Sequence, residues 1–542
     1  MATRLYRYYG QGHLVGPETA IEIELLRAAK KYVLAQFPAG RRRQKTEVSA
    51  ILQCYFNFYS LRLDSILKKI ASRELMQFVL YQYDVAAAAW RKTPNELSLE
   101  VCQTTSRLSI IRRGLKHLAE RIAMRSSLPE FAPAGKPNLF RYVEEALFYS
   151  RMLAELYLTG DTAYYLYPGE VELELLDSDT VTDGISWPLP LRLIFDDANQ
   201  RNDVHFNARI ARDRANRDKY FPEQSMNLDF RRQADLLDPF FETSFGCPFS
   251  RFLQVIAVLN EQAKPAPDNY PVMFFHEDAL VRDLARGFNL GTTELPRRIL
   301  GGFTLTRQQM VEEQRAIFLP NQEHRAFRRG FFEFPYFTGT HLFWSSAMAS
   351  EGLDHLLNGI CFKKLPEEWL TSDTSLGLDK VSNEAGNWFE KEVNANLNKL
   401  GIQGHSRKGR IIGNGGAIDI PPEVGQLDFL GYSKNDAALV VVESKMVEVG
   451  FESRFFRNEI SQFTVGKNSF VAQLRRKIDW VAKHRKLLGK ILGNVETELK
   501  ILPALITLYP TYAAFKIHDM PCLSLVELME DYGNKHSWPY LL

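Results

Sequence analysis

Between residues 425 and 445 the pattern of apolar and polar positions changes twice. GQLDFLGY has the pattern of a half-buried strand, SKNDA has turn composition, and ALVVVESK is a β-branched apolar run that ends on charge. Together they predict a β-hairpin. With Asn435-Asp436 as a two-residue loop, antiparallel partners carry numbers summing to 871, which sets Asp428 opposite Glu443. Upstream, EAGNWFEKEVNANLNKL, capped at Ser382-Asn383, predicts a helix with Ala385, Phe389, Val393, Leu397 and Leu400 as its apolar stripe. Glu390 and Glu392 flank that stripe on opposite sides, and periodicity does not choose between them. Downstream, the chain from Asn468 keeps helical period through Phe470, Leu474, Ile478 and Val481.

Earlier segments read as mainly helical from residue 17 to about 125, with a strand or two in TAYYLYPGEVELELLDSDTV. Residues 198–237 are polar enough for a linker or exposed arm. A second mainly helical region follows, serving recognition or partner binding. The organisation expected is therefore a helical N-terminal region over 1–235, a second helical region over 236–370, and a C-terminal α/β domain over 371–542.

The hairpin carries the chemistry. Opposed residues on an antiparallel pair have Cβ atoms roughly 4.5–5.5 Å apart, so Asp428 and Glu443 would repel unless a cation sat between them. Strand period puts Lys445 on the face of Glu443 and turns Ser444 away. Hard oxygen donors suit Mg2+ or Mn2+, and a lysine beside such an ion can orient or deprotonate an attacking water. That is equipment for phosphodiester hydrolysis.

These residues resemble the PD-(D/E)xK nuclease superfamily, and within it the Mrr-like and NERD-like endonuclease domains. The resemblance rests on Gly386-Asn387-Trp388-Phe389-Glu390 with Leu400-Gly401, on Gly425-Gln426-Leu427-Asp428, and on Val440-Val441-Val442-Glu443-Ser444-Lys445. It covers about the last third of the chain and implies a restriction-endonuclease-like fold, a central mixed sheet flanked by helices. It also chooses Glu390 over Glu392. By that resemblance Asp428, Glu443, the backbone carbonyl of Ser444 and Glu390 would hold one or two magnesium or manganese ions, and Lys445 would orient the water. Gln473 is similar to a helix glutamine of NERD-like and RecB-like nucleases, although Lys477 stands where the RecB-like pattern has tyrosine. Gln426 replaces a glutamate that the family often carries. The layout resembles restriction and phage-defence nucleases, which implies a magnesium-dependent endodeoxyribonuclease with DNA as substrate. An RNase shares all of this chemistry, and a nucleic-acid-binding scaffold with an inactive nuclease fold is the third reading.

Charge locates the expected nucleic-acid surface. Net charge is only +2, so that surface has to be local, and residues 454–490 hold ten Lys or Arg against two acids. Arg475, Arg476 and Lys477 on the basic helix, with Arg407, Lys408 and Arg410 in the Gly-rich HSRKGRIIGNGG, are the candidates for phosphate contact. Asp419 is a rival metal ligand, placed too far from Glu443 for a tight hairpin. Arg325, Arg328 and Arg329, interleaved with Phe327, Phe331 and Phe334, can be read as a base-stacking patch or, more simply, as core. The N-terminal region is expected to bind a partner protein or a second copy. Five dispersed cysteines suit a reducing cytoplasm and argue against zinc pairs or a disulfide framework. No apolar run predicts a membrane span or a secretion signal.

Overall fold

A computed structural model describes residues 4–542 except 11, 94–98, 126–127, 131–137, 167–170, 178–190, 195–196, 222–229, 264–271, 314–325, 327, 337, 414–415, 449–452, 494, 496–498, 536–537 and 539–542. The chain is mixed α and β, helix-rich, with four small sheets among the described residues. It divides into two compact units, and neither is a continuous segment. One comprises Met1–Asp196, Ala234–Ile360 and Lys364–Gly377; the other comprises Asp197–Gln233, Cys361–Lys363 and Leu378–Leu542. No described helix is long and apolar enough to cross a membrane.

The first unit is built on the helices Lys45–Ile70, Arg73–Arg91, Leu99–Ala123 and Leu139–Gly160, whose buried Tyr55, Tyr59, Phe78, Tyr83 and Phe148 share one core. Arg41, between the first helices, lies on a short strand and pairs with Glu174 at 3.3 Å. The region 236–370 is less helical than its sequence suggests. Strands Val272–His276, Gly339–Ser345, Phe331–Tyr336 and Thr304–Leu305 form a four-stranded sheet in that order. Phe331 and Phe334 are buried in it, and the buried Arg329 is held by Glu368 and by the Gly301 carbonyl, each at 2.8 Å. They are core, not a stacking surface. Arg325 and Phe327 of the same patch lie outside the described residues.

The second unit wraps helices around both faces of a five-stranded mixed sheet. Its strand order is Cys522–Ser524, Lys500–Thr507, Ala438–Lys445, Leu427–Ser433, Ile402–Arg407. The first three run parallel, and Leu427–Ser433 runs antiparallel to both of its neighbours. Alternation sorts the central strand: Val440 and Val442 pack with Phe389, Val393 and Leu397 on one face, Leu439 and Val441 with Leu474 and Val481 on the other. The helix bearing Phe389 starts twelve residues earlier than its sequence suggests, at Ser372 rather than Glu384. Thr371 and Thr374 cap it reciprocally, each side-chain oxygen accepting from the other's N–H.

Of the residues 198–237 read from sequence as a linker or arm, 198–220 belong to the helix Asp197–Tyr220 inside this second unit. Charged groups fix it there together with Phe206, buried against Phe456 and Tyr512. Arg209 clamps Glu527 with two bonds, one of 2.5 Å from Nε and one of 2.8 Å from Nη2. Asp213 accepts from Ser524 Oγ at 2.7 Å, and Arg217 binds Asp213 and the Leu508 carbonyl while stacking over Tyr509. The second unit therefore includes a segment outside 371–542.

Candidate active site

The hairpin Leu427–Ser433 and Ala438–Lys445 pairs Phe429 with Val442, Leu430 with Val441 and Ser433 with Ala438, so every pair sums to 871. The turn spans four residues rather than two, with Ala437 at positive φ. Asp436 closes it by accepting from Ser433 Oγ at 2.5 Å and Tyr532 Oη at 2.6 Å. Because both loops share one centre, the register is the same. One step beyond the last pair, Asp428 and Glu443 come together at the end of the hairpin. A register shift against the strand Ile402–Arg407 falls between Leu427 and Leu430, a device that re-aims a side chain at a sheet edge.

Asp428 and Glu443 are 6% and 1% exposed, so neither carboxylate is solvated. Asp428 Oδ2 accepts the Ser444 N–H at 2.9 Å, and the Ser444 hydroxyl lies 3.4 Å from the same oxygen. Glu443 Oε1 pairs with Lys445 Nζ at 2.6 Å, and that ammonium stands 5.0 Å over the Phe470 ring. Glu443 Oε2 pairs with Lys477, whose Nζ also reaches Asp428 Oδ1 at 3.5 Å. Burial, and next the charge of Glu443, push the Asp428 carboxyl above its ordinary value. Glu390 stands beside them. Burial and then Asp428 push its carboxyl up as well, while its Oε2 accepts from Gln426 Nε2 at 2.9 Å. Gln426 donates also to Ser406 Oγ at 3.1 Å and so ties Glu390 to the neighbouring strand. Asn394, one turn after Glu390, reaches the Asp428 carbonyl at 3.3 Å.

Lys477 corrects its sequence assignment. It is 5% exposed, lodged between the two carboxylates, and so is no surface contact for a phosphate backbone. Its position explains this: spacings of four, three and four link Phe470, Leu474, Lys477 and Val481, which places Lys477 on the apolar stripe of the helix Phe470–Gly493. A lone cation on that stripe was the available signal. Gln473 is not brought to the carboxylates; its amide donates to the Asn468 carbonyl at 2.7 Å.

The remaining basic candidates are spread out. Arg475 is exposed and pairs with Asp519 at 2.8 Å, and Arg476 donates to the Lys467 carbonyl at 2.7 Å. Lys408 is exposed at the turn into a separate two-stranded ribbon, where Arg410 pairs with Asp419 at 3.6 Å. Asp419 is 77% exposed there, away from the paired carboxylates' strands. Arg407 is half-buried, its buried Nε has no hydrogen-bond partner, and burial lowers its guanidinium's proton affinity. No protein-family model, curated protein or solved structure matches the chain.

Among the described residues no three His, Cys, Asp or Glu side chains are grouped as metal ligands. Glu390 is turned to Gln426, and an ammonium occupies the space between the other two carboxylates. Asp428 and Glu443 share one cation through hard oxygens, and a divalent ion suits the same pair, with Glu390 joining on release from Gln426.

Proposed function

We propose that the second unit is a divalent-metal-dependent endonuclease of the PD-(D/E)xK type, hydrolysing DNA phosphodiester bonds in restriction or antiviral defence. One observation carries the reading. The hairpin register brings a buried aspartate, a buried glutamate and the lysine two residues on to one end of a mixed sheet, with a helix glutamate beside them. An apolar strand that ends by burying opposed carboxylates is costly for a purely structural element.

In this reading Asp428 and Glu443, with the Ser444 carbonyl, would hold Mg2+ or Mn2+, which would supply Lewis acidity and positive charge there. Lys445, fixed by Glu443 and the Phe470 face, presents its ammonium to the attacking water and steadies negative charge on the phosphoryl oxygens. Glu390, with its raised carboxyl, accepts a hydrogen bond from that water or takes its proton. Arg475, Arg476 and Lys408 supply phosphate contacts at the surface, Arg407 and Arg410 beside them. One observation favours a second reading, a nucleic-acid clamp without chemistry: Lys445 and Lys477 already neutralise Asp428 and Glu443.

Purified full-length protein incubated with plasmid, linear duplex, single-stranded DNA and RNA, each with Mg2+, Mn2+ or EDTA, separates the readings. Metal-dependent cutting that disappears in Asp428→Ala and Lys445→Ala, with the melting transition retained, is the expected result. Undiminished cutting by both variants refutes the site, and RNA-only cutting replaces DNA as the substrate. Intact nucleic acid under every condition leaves the clamp.

A further inference from the structure

We infer that Lys477 is the resident cation of this site, so that its ammonium and a divalent ion compete for one seat between Asp428 and Glu443; the inference rests on the metal-site reading above. Each acidic oxygen a shared ion would use is already assigned. Asp428 Oδ2 is committed to the Ser444 N–H, which leaves Oδ1, the oxygen that faces Lys477 Nζ at 3.5 Å. Glu443 Oε1 is committed to Lys445, which leaves Oε2, and Lys477 pairs with it. Lys445 does not compete in this way, because its described ion pair is with Glu443 Oε1 and its ammonium is held over Phe470.

Charge gives the competition its direction. Asp428 and Glu443 balance the two ammoniums and Glu390 beside them supplies at most one further negative charge, so a divalent ion added to the intact cluster leaves at least one uncompensated positive charge in a buried site. Either the Lys477 ammonium withdraws or new negative charge arrives, and a phosphodiester backbone is such a charge. The lysine stem permits withdrawal without moving the helix, since four rotatable carbons separate the ammonium from a backbone anchored by Leu474 and Val481. Metal occupancy of the free protein is therefore weak. It rises when phosphate enters the site, and by reciprocity bound metal raises affinity for phosphate.

The test titrates full-length wild type, K477Q, K477M, K477R and D428N with MnCl2, free of nucleic acid, by calorimetry and by the loss of the free-manganese paramagnetic resonance signal. K477Q and K477M are expected to bind Mn2+ at least tenfold more tightly than wild type and to gain more in Tm on adding it. K477R, which keeps the charge, stays within about twofold of wild type or binds more weakly, and D428N loses binding. Equal or weaker binding by both neutral variants, with D428N still abolishing it, overturns the role of Lys477 while the metal-site reading stands. An absence of Mn2+ binding in all five proteins at millimolar metal refutes the metal-site reading, and the inference with it. If the neutral variants are unfolded without metal, recovery of their fold by Mn2+ supports competition for the seat, and failure to recover overturns it.

Discussion

Arg209→Ala is expected to loosen the helix Asp197–Tyr220 from the second unit and to cost that unit much of its stability. The Arg209 and Glu527 side chains are 11% and 7% exposed, and the guanidinium engages both carboxylate oxygens while donating to the Cys522 carbonyl at 3.3 Å. Truncation leaves Glu527 with the Ser524 N–H at 2.7 Å as its strongest remaining donor, a carboxylate buried with its counter-ion gone. Breaking a buried pair from one side costs about 3–5 kcal/mol. For a unit of about two hundred residues this lowers Tm by roughly 6–20 °C. Urea unfolding followed by tryptophan fluorescence reads the change, because Trp388, Trp480 and Trp538 all belong to this unit. Replacing both partners, Arg209→Met with Glu527→Leu, is expected to recover most of the loss, since it leaves no unpaired charge. A single variant within about 0.5 kcal/mol of wild type refutes the reasoning, as 0.5 kcal/mol is the range of neutral surface substitutions. The same logic predicts that a fragment of residues 371–542 alone unfolds more readily than one supplied in trans with residues 197–233.

Three further outcomes follow from the geometry. In the first unit, burial pushes Asp84 up to about 7, while Ser345 Oγ and the Ala347 N–H bond its carboxylate at 2.7 and 3.1 Å. A carboxyl raised above its unfolded value contributes stability that is complete below about pH 4 and lost as pH rises through 7. Asp84→Asn should therefore flatten the stability profile between pH 4 and 7, and an unchanged slope in urea melts refutes the assignment. Asp428→Asn is expected to raise the Tm of metal-free protein near neutral pH. The raised Asp428 carboxyl likewise loses its contribution as pH rises, and a lower Tm would show that the Lys477 contact outweighs repulsion by Glu443. Neutralising Arg475 and Arg476 together should weaken duplex binding about equally for all sequences and reduce the salt slope by roughly 0.9 per lost phosphate contact. A slope equal to that of wild type removes both from the interface.

The hairpin was readable because its signal was redundant: alternation, turn composition and a β-branched run agreed, and the register survived a loop of four residues where two were expected. Lys477 was hidden by its neighbours. In the run Arg475-Arg476-Lys477 three cations look alike, and only the spacing from Phe470, Leu474 and Val481 separates the inward one from the two that face solvent. The helix Asp197–Tyr220 gave no periodic signal because few apolar side chains, Phe206 and Tyr220 among them, share its attachment with the polar pairs of Arg209, Asp213 and Arg217. The strand Phe331–Tyr336 was missed for the opposite reason: an almost unbroken aromatic run shows no alternation. The early helix start at Ser372 depends on two threonines, Thr371 and Thr374, whose capping role is local geometry that composition does not reveal.

The attachment of the helix Asp197–Tyr220 has a consequence for biogenesis. Glu527 follows Arg209 by 318 positions. At 5–20 residues per second, a ribosome needs roughly 15–60 s to deliver it. During that interval Arg209, Asp213 and Arg217 are already made and have no docking partner, while the first unit's segment 234–360 is being synthesised between the two halves of the second. The paired carboxylates and Lys445 leave the ribosome before the strand Cys522–Ser524 and Glu527, which complete their sheet and dock the early helix. A nascent chain thus carries the acidic and basic groups of the site for some time without the scaffold that aligns them, and competence arrives late, as a timed event of synthesis.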